Sequence, residues 1–167
     1  MKTLAKILLV VGAGCTTNST SQQFDTLQPI LWRHTMAAEL DDKQLKCLAD
    51  NVYYEARGEP VEGQIAVAQV TLNRVVNGRW GNTVCEVVYY KRLGVCQFSW
   101  VCQSRKLPKS IQYTKSKLIA QRVADYHYTD VQYRYKDAMY FHSNKIHSHW
   151  HNKRTKLKQT GNHIFYE

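Results

Sequence analysis

No stretch of this 167-residue sequence stays apolar for the roughly 20 residues that a membrane-spanning helix needs. Cysteine pairs of the Cys-x-x-Cys kind are missing, which removes the common zinc-binding arrangement of thiolates. No internal repeat is visible, so a stacked-repeat architecture is excluded. Acidic residues are scarce: 13 Asp and Glu stand against 23 Lys and Arg, for a net charge of +10. Such a balance favours acidic partners, whether nucleic acid, anionic membrane or an acidic polymer such as the bacterial cell wall. Charge alone does not choose among these.

The N-terminus narrows the choice. A short basic region, Met1 to Lys6, precedes the apolar run Ile7 to Ala13 and the small pair Ala13-Gly14. This reads as an export signal over residues 1–15. Cys15 follows the small pair where a bacterial lipoprotein carries its lipidated cysteine, although Gly12 stands where a Leu is usual. The alternatives are ordinary cleavage or retention as a weak membrane tether. Export places the protein in the periplasm or on a membrane facing the wall, and counts against nucleic acid as a partner. With Cys15 set aside, Cys47, Cys85, Cys96 and Cys102 remain, an even number that suggests disulfides with three open pairings. Cys85–Cys102 with Cys47–Cys96 is the pairing favoured here.

Residues 16–40 are rich in Thr, Ser, Asn and Gln and read as a flexible tether and lead-in, with Leu31 and Trp32 docking on the folded domain. Residues 41–167 then form one domain, large enough for a real core. Leu45, Leu48, Ala49, Val52, Tyr53 and Ala56 recur on one helical face, capped by Asp41 or Asp42. Gly58 is expected to turn left-handed and Pro60 to bias Glu59 out of the helix, ending it at about Arg57. Pro60 opens a second, mostly buried helix ending at Asn77-Gly78. Thr83 and Glu86 form a capping box for a short helix to about Tyr90. Gly94 breaks the pattern, and Gln97 to Val101 alternates like a strand or hairpin arm. A third long helix is expected over Ser110–Tyr128, after Pro108, with Leu118, Ile119, Val123 and Tyr126 inward. Asp137 to His142 and Ile164 to Tyr166 read as short extended pieces. The fold class is α+β, mainly α, with a small hairpin element.

Glu55 is the candidate for chemistry. It falls in the last turn of the first helix, at the rim of the apolar arc, where the helix dipole and the core edge both disfavour a charge. A raised pKa is therefore expected, as a general acid requires. The bland alternative is a surface pair with Arg57 or Lys46. Ordinary glycoside hydrolysis needs two carboxylates, and Glu59 and Glu62 are the nearest by sequence. Neither is well placed, so a mechanism with one carboxylate is the better fit. In it the substrate's acetamido oxygen stabilises the oxocarbenium centre and the sugar's own C6 hydroxyl attacks. Gln97, Phe98, Ser99, Tyr140, His142 and Asn144 set polar groups among aromatic ones, as sugar recognition needs and as a satisfied buried strand would also show. His147, His149 and His151 alternate among Lys145, Lys153 and Arg154, which reads as a solvated cationic loop. No metal or cofactor is expected. A cysteine nucleophile paired with a His is a further option, disfavoured in an exported chain.

The motifs Cys47-Leu48-Ala49, Tyr54-Glu55-Ala56-Arg57-Gly58-Glu59-Pro60, Glu62-Gly63-Gln64-x-Ala66-Val67-Ala68, Asn73-Arg74-Val75, Asn82-Thr83-Val84-Cys85, Gln97-Phe98-Ser99-Trp100, Tyr140-Phe141-His142 and Gly161-Asn162-His163-x-Phe165-Tyr166 occur in that order. Together they resemble the cell-wall hydrolase family of the spore cortex-lytic enzyme SleB and its relative CwlJ, over roughly residues 45–166. The resemblance implies a lysozyme-like fold and cleavage of peptidoglycan between N-acetylmuramic acid and N-acetylglucosamine. It implies lytic transglycosylase chemistry with a 1,6-anhydromuramyl product, and places the family's acid at Glu55. By analogy, Gln97-Phe98-Ser99 and Tyr140, with His142, look like elements laid across a glycan cleft. The expected partner is a glycan strand, bound by a monomer. There are departures: no room for a separate wall-binding domain, extra loop length over Lys91–Cys96, and Gln103 where relatives often carry an acid. The alternatives are a muramidase-type hydrolase, an amidase on the stem peptide, and a non-catalytic basic wall-binding protein.

Overall fold

The computed structural model of the protein describes residues 40–103, 110–125, 129–146 and 149–167, all within one compact unit, Arg33–Glu167. The expectations for the signal, Cys15, the tether, Leu31, Trp32, Pro108, Tyr126 and His147 lie outside the described residues. Helix α1 spans Asp42–Ala56 and begins where Asp41 Oδ1 accepts the N–H of Gln44 at 2.8 Å. It ends through the Arg57 N–H on the Tyr53 carbonyl, 3.2 Å, and the Glu59 N–H on the Ala56 carbonyl, 2.9 Å. Gly58 does not take the left-handed conformation expected of it. Pro60 suffices as the stop, since it has no N–H to give α1 and its fixed φ of −53° caps α2.

Helix α2, Val61–Asn77, is buried along most of its length and closes on Gly78 at φ 73°. Thr83 and Glu86 form the expected capping box of α3, Val84–Tyr89. The hairpin element then sits earlier than the alternating pattern implied. Strands β1, Lys91–Arg92, and β2, Val95–Cys96, pair antiparallel around Leu93-Gly94, while Ser99–Cys102 is a turn of 3-10 helix. Gly94 at φ 79° explains the shift: it is the hairpin turn itself.

Helix α4, Ile111–Ala124, is capped by Ser110 and presents Ser116, Ile119, Ala120, Val123 and Ala124 to the core. Leu118, expected inward, is 51% exposed, because it stands one position off that stripe. Helix α5, Thr129–Arg134, was not legible in the sequence pattern. The C-terminal sheet has the order β3-β5-β4, built from Tyr140–Ser143, His163–Tyr166 and Lys156–Thr160, with a register shift between Lys156 and Lys158. Strands β3 and β5 match the expected extended pieces, and β4 is new.

Two apolar clusters meet along α2. One joins α1, α3 and α4 through Leu48, Val52, Ile65, Val88 and Val123, and reaches Phe98 and Trp100. The other packs Ala66, Val67 and Val70 on Tyr135, Ala138 and Phe165. Among the described residues no helix is long and apolar enough to cross a membrane.

The disulfides are Cys47–Cys85 and Cys96–Cys102, not the pairing favoured from sequence. Helix packing decides it. Cys47 on α1 faces the first turn of α3, where Gln44 Oε1 also accepts the Cys85 N–H at 2.9 Å. Cys96 precedes the 3-10 turn and Cys102 ends it, only six residues apart.

Candidate active site

Glu55 stands half-buried in the last turn of α1, as its spacing predicts. Nearby, Lys46 takes Asp50 at 2.7 Å, and Arg57 folds over the Tyr53 ring at 4.9 Å. One helical turn earlier, the Asn51 amide donates to Thr71 Oγ1 on α2 at 3.0 Å, and its oxygen accepts the Trp100 indole N–H at 3.0 Å. Tyr54 stacks on Trp100 at 4.5 Å. The helix that carries Glu55 is thus tied to the 3-10 turn that follows Gln97.

Arg74, on α2, is the buried charge near Glu55 that the sequence reading did not single out. It is 3% exposed, with Nε donating to the Met139 carbonyl at 2.8 Å. Its guanidinium lies 5.1 Å from Trp80, 5.2 Å from Phe98 and 5.9 Å from Tyr140. Burial pushes its pKa down to about 10, against the pull of Tyr140 and of the Glu55 carboxylate, with Arg154 adding to the decrease. At neutral pH it therefore remains a buried cation in the field of Glu55. Its Nη1 is buried without a hydrogen-bond partner among the described residues. The available signal was an Arg inside the stripe of a mostly apolar helix, in the motif Asn73-Arg74-Val75. Its neighbour Asn73 donates to the Tyr135 and Ala138 carbonyls, both at 2.8 Å. The two side chains together fix the backbone that enters β3 at Tyr140.

The other two nearby acids are committed elsewhere. Glu59 accepts the Asn162 N–H at 2.8 Å and its side-chain amide at 3.1 Å, clasping the β4–β5 turn. A Cβ on Gly161, at φ 58°, would collide with that carboxylate and with the Pro60 ring. Glu62 takes Lys158 at 2.7 Å, Tyr135 Oη at 3.1 Å and Arg134 at 3.3 Å. The Lys158 contact above all holds its carboxyl below the usual range, burial opposing.

Of the residues expected to touch substrate, Gln97 and Tyr140 line one cavity of about 490 Å³. Ser99 is exposed at the start of the 3-10 turn. Phe98 is only 3% exposed, and the Arg74 guanidinium lies 5.2 Å from its ring. His142 is half-buried, with Nδ1 at the Ser143 carbonyl, 2.8 Å, and Nε2 at Tyr166 Oη, 3.0 Å. The cationic loop is less solvated than expected. His149 is exposed, but His151 packs at 5.3 Å from His142, and the Arg154 guanidinium sits 3.3 Å over the Tyr140 ring. Tyr140 and Tyr166, paired across β3 and β5, collect these side chains because alternate strand residues share one face.

Comparison with known proteins adds the family context. The family model described as Cell Wall Hydrolase matches residues 58–166, beginning just after the helix that carries Glu55. The spore cortex-lytic enzyme of Bacillus cereus is 31% identical over 121 residues, 72% of this chain and 43% of that protein. That of Bacillus subtilis is 43% identical over 54 residues, 32% of this chain and 18% of that protein. The chain therefore spans less than half the length of these curated relatives. Among solved structures, the catalytic domain of the germination-specific lytic transglycosylase SleB from Bacillus anthracis superposes with a TM-score of 0.57 at 29% identity, covering 77% of this chain and 98% of that one. The catalytic domain of the Bacillus cereus SleB protein gives 0.54 at 29% identity, covering 76% and 91%. The mainly helical, lysozyme-like fold expected from the motifs is borne out, as is the resemblance itself.

Proposed function

The chain belongs to the cell wall hydrolase family, and on that premise we propose that it cleaves peptidoglycan between N-acetylmuramic acid and N-acetylglucosamine as a lytic transglycosylase. Glu55 is the single acid and base. Its carboxyl gives a proton to the glycosidic oxygen as the bond to muramic C1 breaks. The acetamido oxygen of the sugar stabilises the oxocarbenium centre, and Arg74 stabilises the carboxylate left behind. The C6 hydroxyl then attacks C1 and returns its proton to Glu55. The ring closes as a 1,6-anhydro end, and no water is consumed.

One observation carries this reading. Glu55 alone, of the three acids around the α1–α2 junction, stands with a buried guanidinium in its field, while Glu59 and Glu62 are spent on the C-terminal sheet. A two-carboxylate hydrolase would need one of those two to be available. Gln97, Ser99 and Tyr140 orient the glycan, and His142 holds the aromatic face behind Tyr140. Export, and attachment through Cys15, belong to the same proposal, because the substrate lies outside the membrane. Mass spectrometry of the products released from purified sacculi tests it. Anhydro-muramyl ends support the reading. Reducing ends assign hydrolysis, freed peptide assigns an amidase, and no release assigns a wall-binding protein.

A further inference from the structure

The cavity beside Tyr140 holds more positive charge than a neutral sugar needs. Arg79, Arg92 and Arg154 line it, together with Trp80, Tyr90 and Tyr140, and among the described residues no acidic one is in its walls. None of the three arginines pairs with a carboxylate among the described residues. Two are held on aromatic faces instead. Arg154 lies 3.3 Å from the Tyr140 ring centroid and 5.8 Å from that of Trp150, and Arg79 lies 5.5 Å from that of Trp80. A π face fixes the direction of a guanidinium without neutralising it, so its N–H fork stays available to an oxyanion. Arg154 Nε is buried with no hydrogen-bond partner among the described residues. Three like charges around about 490 Å³ repel one another until an anion enters. The volume falls within the range that takes a small ligand or a few residues of peptide.

The cavity reaches the surroundings of Arg74 through one wall residue. Tyr140 lines it and lies 5.9 Å from the Arg74 guanidinium, which feels both Glu55 and Arg154. A glycan strand cleaved at Glu55 would therefore carry its substituents past these arginines. The charged substituent on muramic acid is the stem peptide, which bears free carboxylates. Resting on the function proposed above, we propose that this cavity is a subsite for the carboxylates of the acidic peptide next to the scissile bond. It makes peptide-bearing strands the preferred substrate.

The test compares kcat/KM on peptide-bearing glycan strands and on the same strands stripped of peptide by an amidase, with the lactyl carboxylate so freed capped as a neutral amide. It uses the wild-type chain, an Arg79→Gln/Arg92→Gln double variant and an Arg122→Gln control. Arg79, Arg92 and Arg122 are all exposed, and circular dichroism checks that each variant folds. Wild type is expected to prefer peptide-bearing strands by about tenfold or more, as charge-assisted hydrogen bonds allow. The double variant loses that preference, and the Arg122 control on α4 keeps it. Equal turnover of both strands by wild type overturns the subsite and leaves the enzyme standing. So does a preference that survives in the double variant, or one lost equally in the control. Failure of wild type to cleave either strand overturns the enzyme reading itself.

Discussion

Asn51 accepts the indole N–H of Trp100 at 3.0 Å, one helical turn before Glu55. The same side chain donates to Thr71 Oγ1, so one buried amide ties α1, α2 and the 3-10 turn together. Removing it leaves buried polar groups without partners, at a cost of about 1–3 kcal/mol each. Asn51→Leu should therefore lower the melting temperature and also reduce turnover, because the segment after Gln97 loses its anchor. Calorimetry beside a sacculus-release assay checks both. A variant as stable as wild type would deny Asn51 this role.

The two disulfides should differ in weight. Cys47–Cys85 closes a separation of 38 residues and Cys96–Cys102 one of six. Chain entropy alone assigns them roughly 4 and about 2 kcal/mol. Cys47→Ala/Cys85→Ala should lose more in thermal unfolding than Cys96→Ala/Cys102→Ala. Peptide mapping under non-reducing conditions checks the connectivity, and a Cys85–Cys102 fragment would refute it.

Glu59 and Glu62 should prove dispensable for the reaction and useful to the fold. Glu59→Gln and Glu62→Gln are expected to keep turnover within a few-fold of wild type, against the 10²–10⁴ lost with a general acid or base. Glu59→Gln should cost about 1 kcal/mol, since the Asn162 N–H loses a charged acceptor. A loss of turnover a hundredfold or larger in either variant, with the fold intact, would bring back a two-carboxylate mechanism.

Stability should respond to pH through His163. Burial on β5 lowers its pKa from 6.5, with His142 acting in the same direction and Glu59 opposing. The unfolded chain therefore binds the proton more readily than the folded one. The stabilising contribution is complete above about pH 6.5 and is lost as pH falls from there through the lowered folded value. His163→Phe should flatten the fall in melting temperature between pH 7 and 5. Parallel curves for variant and wild type would contradict this.

Much of this architecture is legible in local chemistry. Asp41, Pro60, Gly78 and the Thr83–Glu86 box set helix ends through side-chain and backbone rules acting within a few residues. Glu55 is legible for the same reason, as its position follows from helix period and from where Pro60 forces a stop. What is not legible depends on partners distant in sequence. Cys47 finds Cys85 only after α1 packs on α3. Strand β4 reads as a polar loop, because only its pairing to β5 makes Lys156–Thr160 extended. Arg74 and Arg154 give no periodic signal of function. Their meaning comes from Tyr140, 66 residues beyond the first and 14 before the second, which brings both guanidiniums to one ring.

The central claim is that one carboxyl, at the end of α1, performs both proton transfers. Release of muropeptides from purified sacculi by Glu55→Gln, compared with wild type and with the fold checked by circular dichroism, tests it most directly. The account predicts a fall of about 10²-fold or more with an unchanged fold. Turnover near the wild-type rate, with anhydro ends still formed, would contradict it.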